Sequence, residues 1–354
     1  MKQASLFLAV AMIFLMIFTP FTGCGQKADT STTSSTATTA HESTTTIPPT
    51  EPTNQSTSPT STESAPETTT PSTTATTTTT TLPTTTTTTP ATTTTPSFVP
   101  IVWTAPSNPI TLTVDESTNR AAYQSGGAQI SAYFYKPAGF GPFPAILMLH
   151  GKDGLQEYQR SYASWLAKQG YVVLAPDYLT PVGIASQAWT ISDCGKYTDR
   201  IREIQGDGLE SLKSLAYVDS NRIGVVGFSL GGYYAFILAT RDDVKGIVSY
   251  YGAYYFSAPY KPENDRLVRY KFIDIVTQIK TPVLMFHGDA DALVPISTAD
   301  AAHGLLDSSN KLNEYYVYSG VGHAFNIQGA STYNAQAVAD SEQKVISFLQ
   351  AKLK

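Results

Sequence analysis

Cysteine is scarce in this chain, and only Cys24 and Cys194 occur among its 354 residues. Two cysteines cannot build a disulfide framework or supply the four thiolates of a structural zinc site. The sequence also contains no HExxH zinc motif and no P-loop. We therefore expect a protein that works without a bound metal and without an organic cofactor.

Charge is sparse as well, and the two signs nearly balance. Lys and Arg together number 23, Asp and Glu number 28, and the net charge is −5. The basic residues form no cluster along the chain. Because nucleic acid binding depends on concentrated positive charge, the sequence predicts no nucleic acid partner.

Large apolar side chains are nearly absent from one long segment. Residues 30–97 consist almost entirely of Thr, Ser and Pro, a composition that cannot bury enough apolar surface to offset chain entropy. We expect residues 24–100 to form a disordered, solvated tether. Residues 101–354 are rich in Tyr, Val, Leu, Ala and Gly. They are long enough to enclose one large core, and we expect them to form a single α/β domain.

The first 23 residues have the pattern of an export signal. Lys2 precedes an apolar run over 4–18, and small residues follow that run. The sequence before Cys24 resembles a bacterial lipobox, where the signal is cut off ahead of a lipid-bearing cysteine, although Phe21 stands where Leu is usual. We expect a lipoprotein signal peptide over 1–23 and a lipid on Cys24 that anchors the protein outside the cytoplasmic membrane. An ordinary cleaved signal and an uncleaved anchor helix are the alternatives.

After residue 100 the apolar pattern alternates between strand-like and helix-like periods. Strands are predicted at 110–114, 128–135, 145–149, 171–175, 223–228, 244–251, 282–286 and 314–318. Helices are predicted at 156–169, 199–216, 229–240, 297–307 and 333–352. This alternation predicts an α/β fold, with a mostly parallel sheet between helices on both faces. The segment 180–198 has little periodicity and is either a cap over the site or a surface loop.

A candidate nucleophile lies between a predicted strand and a predicted helix. Residues 227–231 match the motif G-x-S-x-G around Ser229. A sharp turn at this place holds the serine in a strained backbone conformation and exposes its hydroxyl above the sheet. The N-terminus of the following helix favours negative charge beside the serine. The alternative is a glycine-rich helix start in which Ser229 is only the N-cap.

A serine nucleophile needs a general base, and elimination leaves one of the five histidines. His41 lies in the tether, and His303 lies inside a predicted helix. His150 and His287 each stand between a buried strand and a glycine, a position that favours a loop-shaping role. His323 follows a predicted strand in a glycine-rich loop, at the sheet edge where open α/β sheets bind ligands.

The base in turn needs an acid that orients it, placed between the serine and the histidine in chain order. Asp289 and Asp291 both follow the predicted strand at 282–286. Asp291 lies farther from the strand end and can reach the histidine loop, whereas Asp289 fits a turn. We therefore predict a triad of Ser229, Asp291 and His323.

Two further predictions concern the surroundings of the serine. An oxyanion needs two backbone N–H donors, and we assign them to Leu230, directly after the serine, and Lys152, in the loop after the first buried strand. Tyr254 and Tyr255 leave a predicted strand on the same side of the sheet. They either line an aromatic substrate pocket or pack a loop onto the core.

From about residue 128 to 352 the chain resembles the dienelactone hydrolase family of α/β-hydrolases. The resemblance rests on the motifs at 150–155, 170–178, 227–231, 287–291 and 322–325. It implies the α/β-hydrolase fold and hydrolysis of a small-molecule substrate.

The chain departs from that family in two respects. Dienelactone hydrolases proper use a cysteine nucleophile, and this chain has Ser229. They also hold the substrate carboxylate with arginine, in one case shortly after the histidine, and residues 324–327 contain no arginine. Dienelactone itself is therefore not the expected substrate.

The residues predict hydrolysis of a small-molecule carboxylic ester through a covalent acyl-enzyme. The serine and the run His-Gly-x-x-Asp at 287–291 also resemble prolyl-oligopeptidase-type peptidases, so a peptidase is the nearest alternative. A surface binding protein that kept the fold but lost turnover is the alternative from another class. The sequence carries no signal for an oligomeric state.

Overall fold

The computed structural model describes residues 100–254 and 270–353, which belong to one compact unit, Thr88–Lys354. The predicted signal peptide, the lipidation site Cys24 and nearly all of the predicted tether lie outside the described residues, and so does Tyr255. Within the described ranges, no helix combines the length and the apolar character that crossing a membrane requires.

The described strands form one nine-stranded sheet. In chain order they are β1 Thr113–Asp115, β2 Arg120–Ser125, β3 Ala128–Tyr135, β4 Phe143–Leu149, β5 Val172–Pro176, β6 Val218–Phe228, β7 Val244–Tyr250, β8 Val283–Gly288 and β9 Asn313–Tyr318. Across the sheet their order is β1-β2-β3-β5-β4-β6-β7-β8-β9. The pairs from β1 to β5 are antiparallel, and the pairs from β5 through β4 to β9 are parallel.

Helices cover both faces of this sheet. The helices of the described residues are α1 Glu157–Lys168, α2 Ile191–Lys213, α3 Leu230–Leu238, α4 Phe272–Gln278, α5 Ile296–Ser308 and α6 Ala335–Lys352. Buried side chains of α2 to α5 pack in one core cluster, and those of α1 and α6 pack in a second cluster on the opposite face. The predicted α/β class with a mostly parallel sheet is confirmed.

Strand β4 shows why the central strands are continuous apolar runs. Ala145, Leu147 and Leu149 belong to the cluster of α2 to α5, whereas Ile146 and Met148 belong to the cluster of α1 and α6. All five side chains are fully buried. Successive side chains of a strand point to opposite faces, so a strand covered on both faces must be apolar throughout. The parallel strands also end at one edge of the sheet, where their loops meet.

The edge of the sheet differs from the prediction made from sequence. The strand predicted at 110–114 is instead the short β1, and β2 has no counterpart in the prediction. The sequence of β2, RAAYQS, contains alanines and a glutamine, which have little intrinsic preference for strands. Antiparallel pairing with β3 along its whole length supplies the order that local propensity does not.

Two helical segments also differ from the prediction. Helix α2 begins at Ile191 rather than at 199, so residues 191–198 are helical and belong neither to a cap nor to a long loop. The segment 180–198 contains a short 3-10 turn at Thr180–Val182 and the first turns of α2. Cys194 and Thr198 are buried there, but these residue types do not stand out as an apolar stripe. Helix α4 has no counterpart in the prediction either.

Candidate active site

Ser229 occupies the sharp turn between β6 and α3. Its backbone has φ 52° and ψ −113°, in a region that side-chain-bearing residues rarely adopt. Two hydrogen bonds hold this conformation: Ser229 N donates to Tyr250 O at 3.0 Å, and Ser229 O accepts from Ala253 N at 2.9 Å. The strained turn is therefore fixed by the end of β7, and it sets the position of the serine hydroxyl.

The glycines of the motif are required by close backbone contacts. A Cβ at Gly227 would lie 2.1 Å from Gly231 O, and a Cβ at Gly231 would lie 2.2 Å from Leu149 O. Both distances are far shorter than any van der Waals contact, and both partners are backbone atoms that cannot move away. The motif at 227–231 thus allows α3 to start directly against the end of β4.

His323 lies in the loop after β9 and faces the serine. Its Nε2 is 3.0 Å from Ser229 Oγ, and its Nδ1 is 2.7 Å from Asp291 Oδ2. The tautomer that satisfies both contacts carries the proton on Nδ1, donates it to Asp291 and accepts from the Ser229 hydroxyl on Nε2. The ring of Tyr251 packs against the imidazole at a centroid distance of 4.7 Å. The structure thus brings together the three residues predicted as a triad.

The carboxylate of Asp291 is buried and fully bonded. Oδ1 accepts from Leu293 N at 2.9 Å and from Val294 N at 2.8 Å. Burial alone raises the pKa of this carboxyl, but hydrogen bonds from His287 and His323 outweigh it and hold the pKa well below its ordinary value. Asp291 is therefore ionised at neutral pH and can stabilise a positive charge on His323.

His287 contacts this carboxylate as well, which sequence reasoning missed. Its Nε2 lies 2.9 Å from Val294 O, in agreement with the predicted loop-shaping role. The same nitrogen lies 3.3 Å from Asp291 Oδ2, so one N–H faces both acceptors. The ring is completely buried. The four-residue spacing in His-Gly-x-x-Asp is the sequence signal that points to this contact.

Asp289 has a different set of partners. Its Oδ1 accepts a hydrogen bond from Gly320 N at 2.6 Å, and its own N donates to Tyr318 O at 3.1 Å. Both partners lie at the end of β9 and in the loop that leads to His323. Asp289 therefore ties the histidine loop to the end of β8, while Asp291 contacts the imidazole itself.

The loop after β4 lies beside the serine. A Cβ at Gly151 would be 3.5 Å from Ser229 Cβ, and Gly154 N donates to Gly151 O at 3.2 Å to close a turn. Lys152 lies inside this turn, and Leu230 is the first residue of α3. Neither of their N–H groups donates to a hydrogen-bond acceptor of the described residues. Within the described residues, both predicted oxyanion donors are thus without an acceptor.

His150 and Tyr178 stabilise this loop by ring stacking and by hydrogen bonds to its backbone. Their rings stack at a centroid distance of 3.9 Å, and the Tyr178 hydroxyl donates to His150 O. His150 Nδ1 lies 2.7 Å from Gly151 O. Burial lowers the pKa of His150, so the ring is neutral and donates its Nδ1–H to that carbonyl. This agrees with the loop-shaping role predicted for His150.

Tyr254 is packed into the core. Its side chain is fully buried, its hydroxyl bonds to Ser249 Oγ at 2.5 Å, and its ring packs edge-on against Phe236 and Phe272. The prediction of a substrate contact at Tyr254 is therefore wrong, and the alternative of a loop packed onto the core describes it. Burial of an aromatic ring depends on which helices cover it, and the periodicity of its own segment does not contain that information.

Comparison with known proteins assigns the chain to a family. The model of the dienelactone hydrolase family matches residues 130–353. A protein of Methylorubrum extorquens named as a carboxymethylenebutenolidase is 28% identical over 224 residues, covering 61% of this chain and 75% of that protein. One of the same name from Synechocystis sp. is 24% identical over 254 residues, covering 69% of this chain and 100% of that protein.

A solved structure extends the comparison to the fold. The crystal structure of a dienelactone hydrolase from Klebsiella pneumoniae superimposes with a TM-score of 0.56 at 24% identity, covering 64% of this chain and 95% of that one. The segment that the family model matches runs from β3 to the end of α6 and contains Ser229, Asp291 and His323. The protein is a hydrolase with the α/β-hydrolase fold, and it belongs to the dienelactone hydrolase family.

Proposed function

We propose that this protein hydrolyses carboxylic esters through a covalent acyl-enzyme formed on Ser229. The observation that carries the proposal is the hydrogen-bonded chain from Ser229 Oγ to His323 Nε2, at 3.0 Å, and from His323 Nδ1 to Asp291 Oδ2, at 2.7 Å. A hydroxyl, an imidazole and an ionised carboxylate in this order are the parts of a serine nucleophile with its base and orienting acid.

In the first half of the reaction, Ser229 Oγ attacks the ester carbonyl carbon and His323 Nε2 takes the hydroxyl proton. The carbonyl oxygen becomes an oxyanion, which the N–H groups of Leu230 and Lys152 stabilise. The intermediate then collapses, and the alcohol leaves with the proton from His323. In the second half, water loses a proton to His323 and attacks the acyl carbon. The acid departs, and the proton returns to Ser229 Oγ.

A substrate screen separates the ester hydrolase from the peptidase alternative. The purified protein is offered p-nitrophenyl esters and the corresponding p-nitroanilides, which release chromophores from the same acyl groups. We expect turnover of the esters and far slower turnover of the anilides. Anilide hydrolysis that matches ester hydrolysis would favour the peptidase. A protein that turns over neither and is not labelled by a fluorophosphonate would be the inactive binding protein.

We further propose that the hydrolase is exported and held at the membrane by a lipid on Cys24. The support is the sequence alone: a basic start, a short apolar run and small residues before Cys24, with the Thr-rich segment directly after it. One acyl chain gives only marginal membrane binding, whereas a diacylglyceryl group adds a second chain and anchors firmly. The Thr-rich segment would then be the tether between lipid and enzyme.

Changing Cys24 to serine tests this location. Labelled palmitate fed to producing cells should appear on the wild-type protein and be absent from Cys24→Ser. The variant should leave the membrane fraction or accumulate as precursor, and the kcat/KM of any released enzyme should equal the wild-type value. Membrane-bound wild type without lipid would indicate an uncleaved anchor helix. Soluble wild type that lacks Cys24 would indicate an ordinary cleaved signal.

A further inference from the structure

A cavity of about 880 Å³ opens between the loop after β4 and the loop that carries His323. Asp153 lines it from the first loop, and Asn326 lines it from the second. A Cβ at Gly151 would lie 2.7 Å from Asp153 Oδ1 and 3.5 Å from Ser229 Cβ. Ser229 and His323 do not line the cavity themselves, but Asp153, which does, is separated from Ser229 only by Gly151.

The charged side chains of this cavity all have one sign. Among the described residues that line it, Asp153, Glu157 and Glu342 are acidic, and none is Lys, Arg or His. Arg160 neutralises Glu157 at 2.9 Å from outside the cavity. Asp153 accepts a hydrogen bond from the uncharged Tyr158 hydroxyl at 2.8 Å. Glu342 forms no ion pair within the described part of the chain. Two carboxylates thus face the cavity without a compensating cation.

The rest of the lining mixes aromatic and aliphatic side chains with uncharged polar ones, among them Gln156, Ser161 and Gln187. Tyr158, Tyr162, Trp165 and Tyr333 contribute rings to the wall. Lys152 precedes Asp153 in the chain but is not among the residues that line the cavity. Burial raises the pKa of Glu342, which is consistent with its position beside these apolar rings. Such a wall favours an uncharged group over an anionic one.

We propose that this cavity receives an uncharged part of the ester and excludes substrates that carry a carboxylate near the scissile bond. The inference rests on the proposed esterase function and specifies its substrate class. A substrate carboxylate that entered the cavity would meet Asp153 and Glu342. Two like charges about 6 Å apart at an effective permittivity of about 20 repel strongly enough to weaken binding by on the order of 10²-fold. Solvent reduces this penalty at the open side, so we expect discrimination of at least about 10-fold.

Two pairs of esters measure how strongly the enzyme discriminates between a neutral and an anionic substrate. The acyl side is probed with p-nitrophenyl valerate against the p-nitrophenyl monoester of glutaric acid, and the alcohol side with phenyl acetate against 4-acetoxybenzoate. Each kcat/KM is divided by the rate of hydroxide-catalysed hydrolysis of the same ester. One of the two pairs places its variable group in the cavity. For that pair we expect the normalised kcat/KM of the neutral ester to exceed that of the anionic ester at least about 10-fold. Equal normalised values in both pairs would overturn the inference.

A matched pair of variants tests whether the charge of the cavity causes the discrimination against anionic esters. Gln328 is exposed and lines the cavity, whereas Gln343 lies on α6 and lines a separate surface depression. Gln328→Arg should raise kcat/KM for the anionic ester several-fold and narrow the discrimination, and Glu342→Gln should narrow it too. Gln343→Arg adds the same charge outside the cavity and should leave both esters unchanged. An identical effect of the two arginine variants would assign the discrimination to net charge and overturn the inference.

The two proposals can fail separately. A protein that reacts with no ester and is not labelled at Ser229 by a fluorophosphonate would refute the esterase function itself. A labelled enzyme that hydrolyses neutral and anionic esters equally well would leave the esterase function standing and overturn only the assignment of the cavity.

Discussion

Replacing Ser229 with alanine is expected to lower kcat/KM for esters by on the order of 10⁴-fold or more. Ser229 Oγ lies 3.0 Å from His323 Nε2, and no other hydroxyl of the described residues bonds to that nitrogen. The fold should survive, because the backbone bonds of this turn to Tyr250 and Ala253 do not involve the hydroxyl. Steady-state kinetics and urea unfolding on one preparation measure both effects.

A double variant shows whether the serine and the histidine act as one unit. Ser229→Ala with His323→Ala should be scarcely slower than Ser229→Ala alone, because a base without its nucleophile contributes little. If the two residues contributed independently, the fold losses in kcat/KM of the two single variants would multiply in the double variant. Ser347→Ala is a matched control, since Ser347 is exposed on α6, lines neither the active site nor the neighbouring cavity, and bonds only to Gln343 O among the described residues. It should retain nearly the wild-type rate, and near-normal turnover in Ser229→Ala would refute the assignment of the nucleophile.

The central sheet could be predicted because its strands are buried on both faces. Runs such as 145–149 and 223–228 are apolar throughout, and local composition alone identifies them. β2 and the start of α2 were not predictable in this way. Their order comes from pairing with β3 and from burial of residues such as Thr198, and these interactions join parts of the chain that a local pattern does not connect.

The candidate site follows from chain order and turn chemistry. The motif at 227–231 specifies the elbow because side chains at its glycines would overlap backbone atoms. Chain order and the loop after β9 single out His323. The contact of His287 with Asp291 has a sequence signal in the four-residue spacing, whereas the burial of Tyr254 needed coordinates, since it depends on how separate helices pack over the ring.

Changing Asp291 to asparagine is expected to lower kcat by on the order of 10⁴-fold, whereas Asp289→Asn should lower kcat far less. Asp291 Oδ2 accepts the Nδ1–H of His323 at 2.7 Å. An asparagine amide that faces this nitrogen donates a hydrogen bond, which stabilises the tautomer with its proton on Nε2. That tautomer cannot take the proton of Ser229, so the base is lost although the imidazole remains in place.

Asp289→Asn is the matched control, since it makes the same chemical change two residues away. Asp289 Oδ1 accepts from Gly320 N, and an asparagine oxygen can accept the same bond. Stability distinguishes the variants further. The lowered pKa of Asp291 means that its ionised form stabilises the fold above the unfolded pKa of about 4, a contribution that is lost as pH falls through the folded pKa. The difference in unfolding free energy between wild type and Asp291→Asn should therefore narrow in acid. Equal losses of kcat at neutral pH in the two variants would contradict the assignment of Asp291.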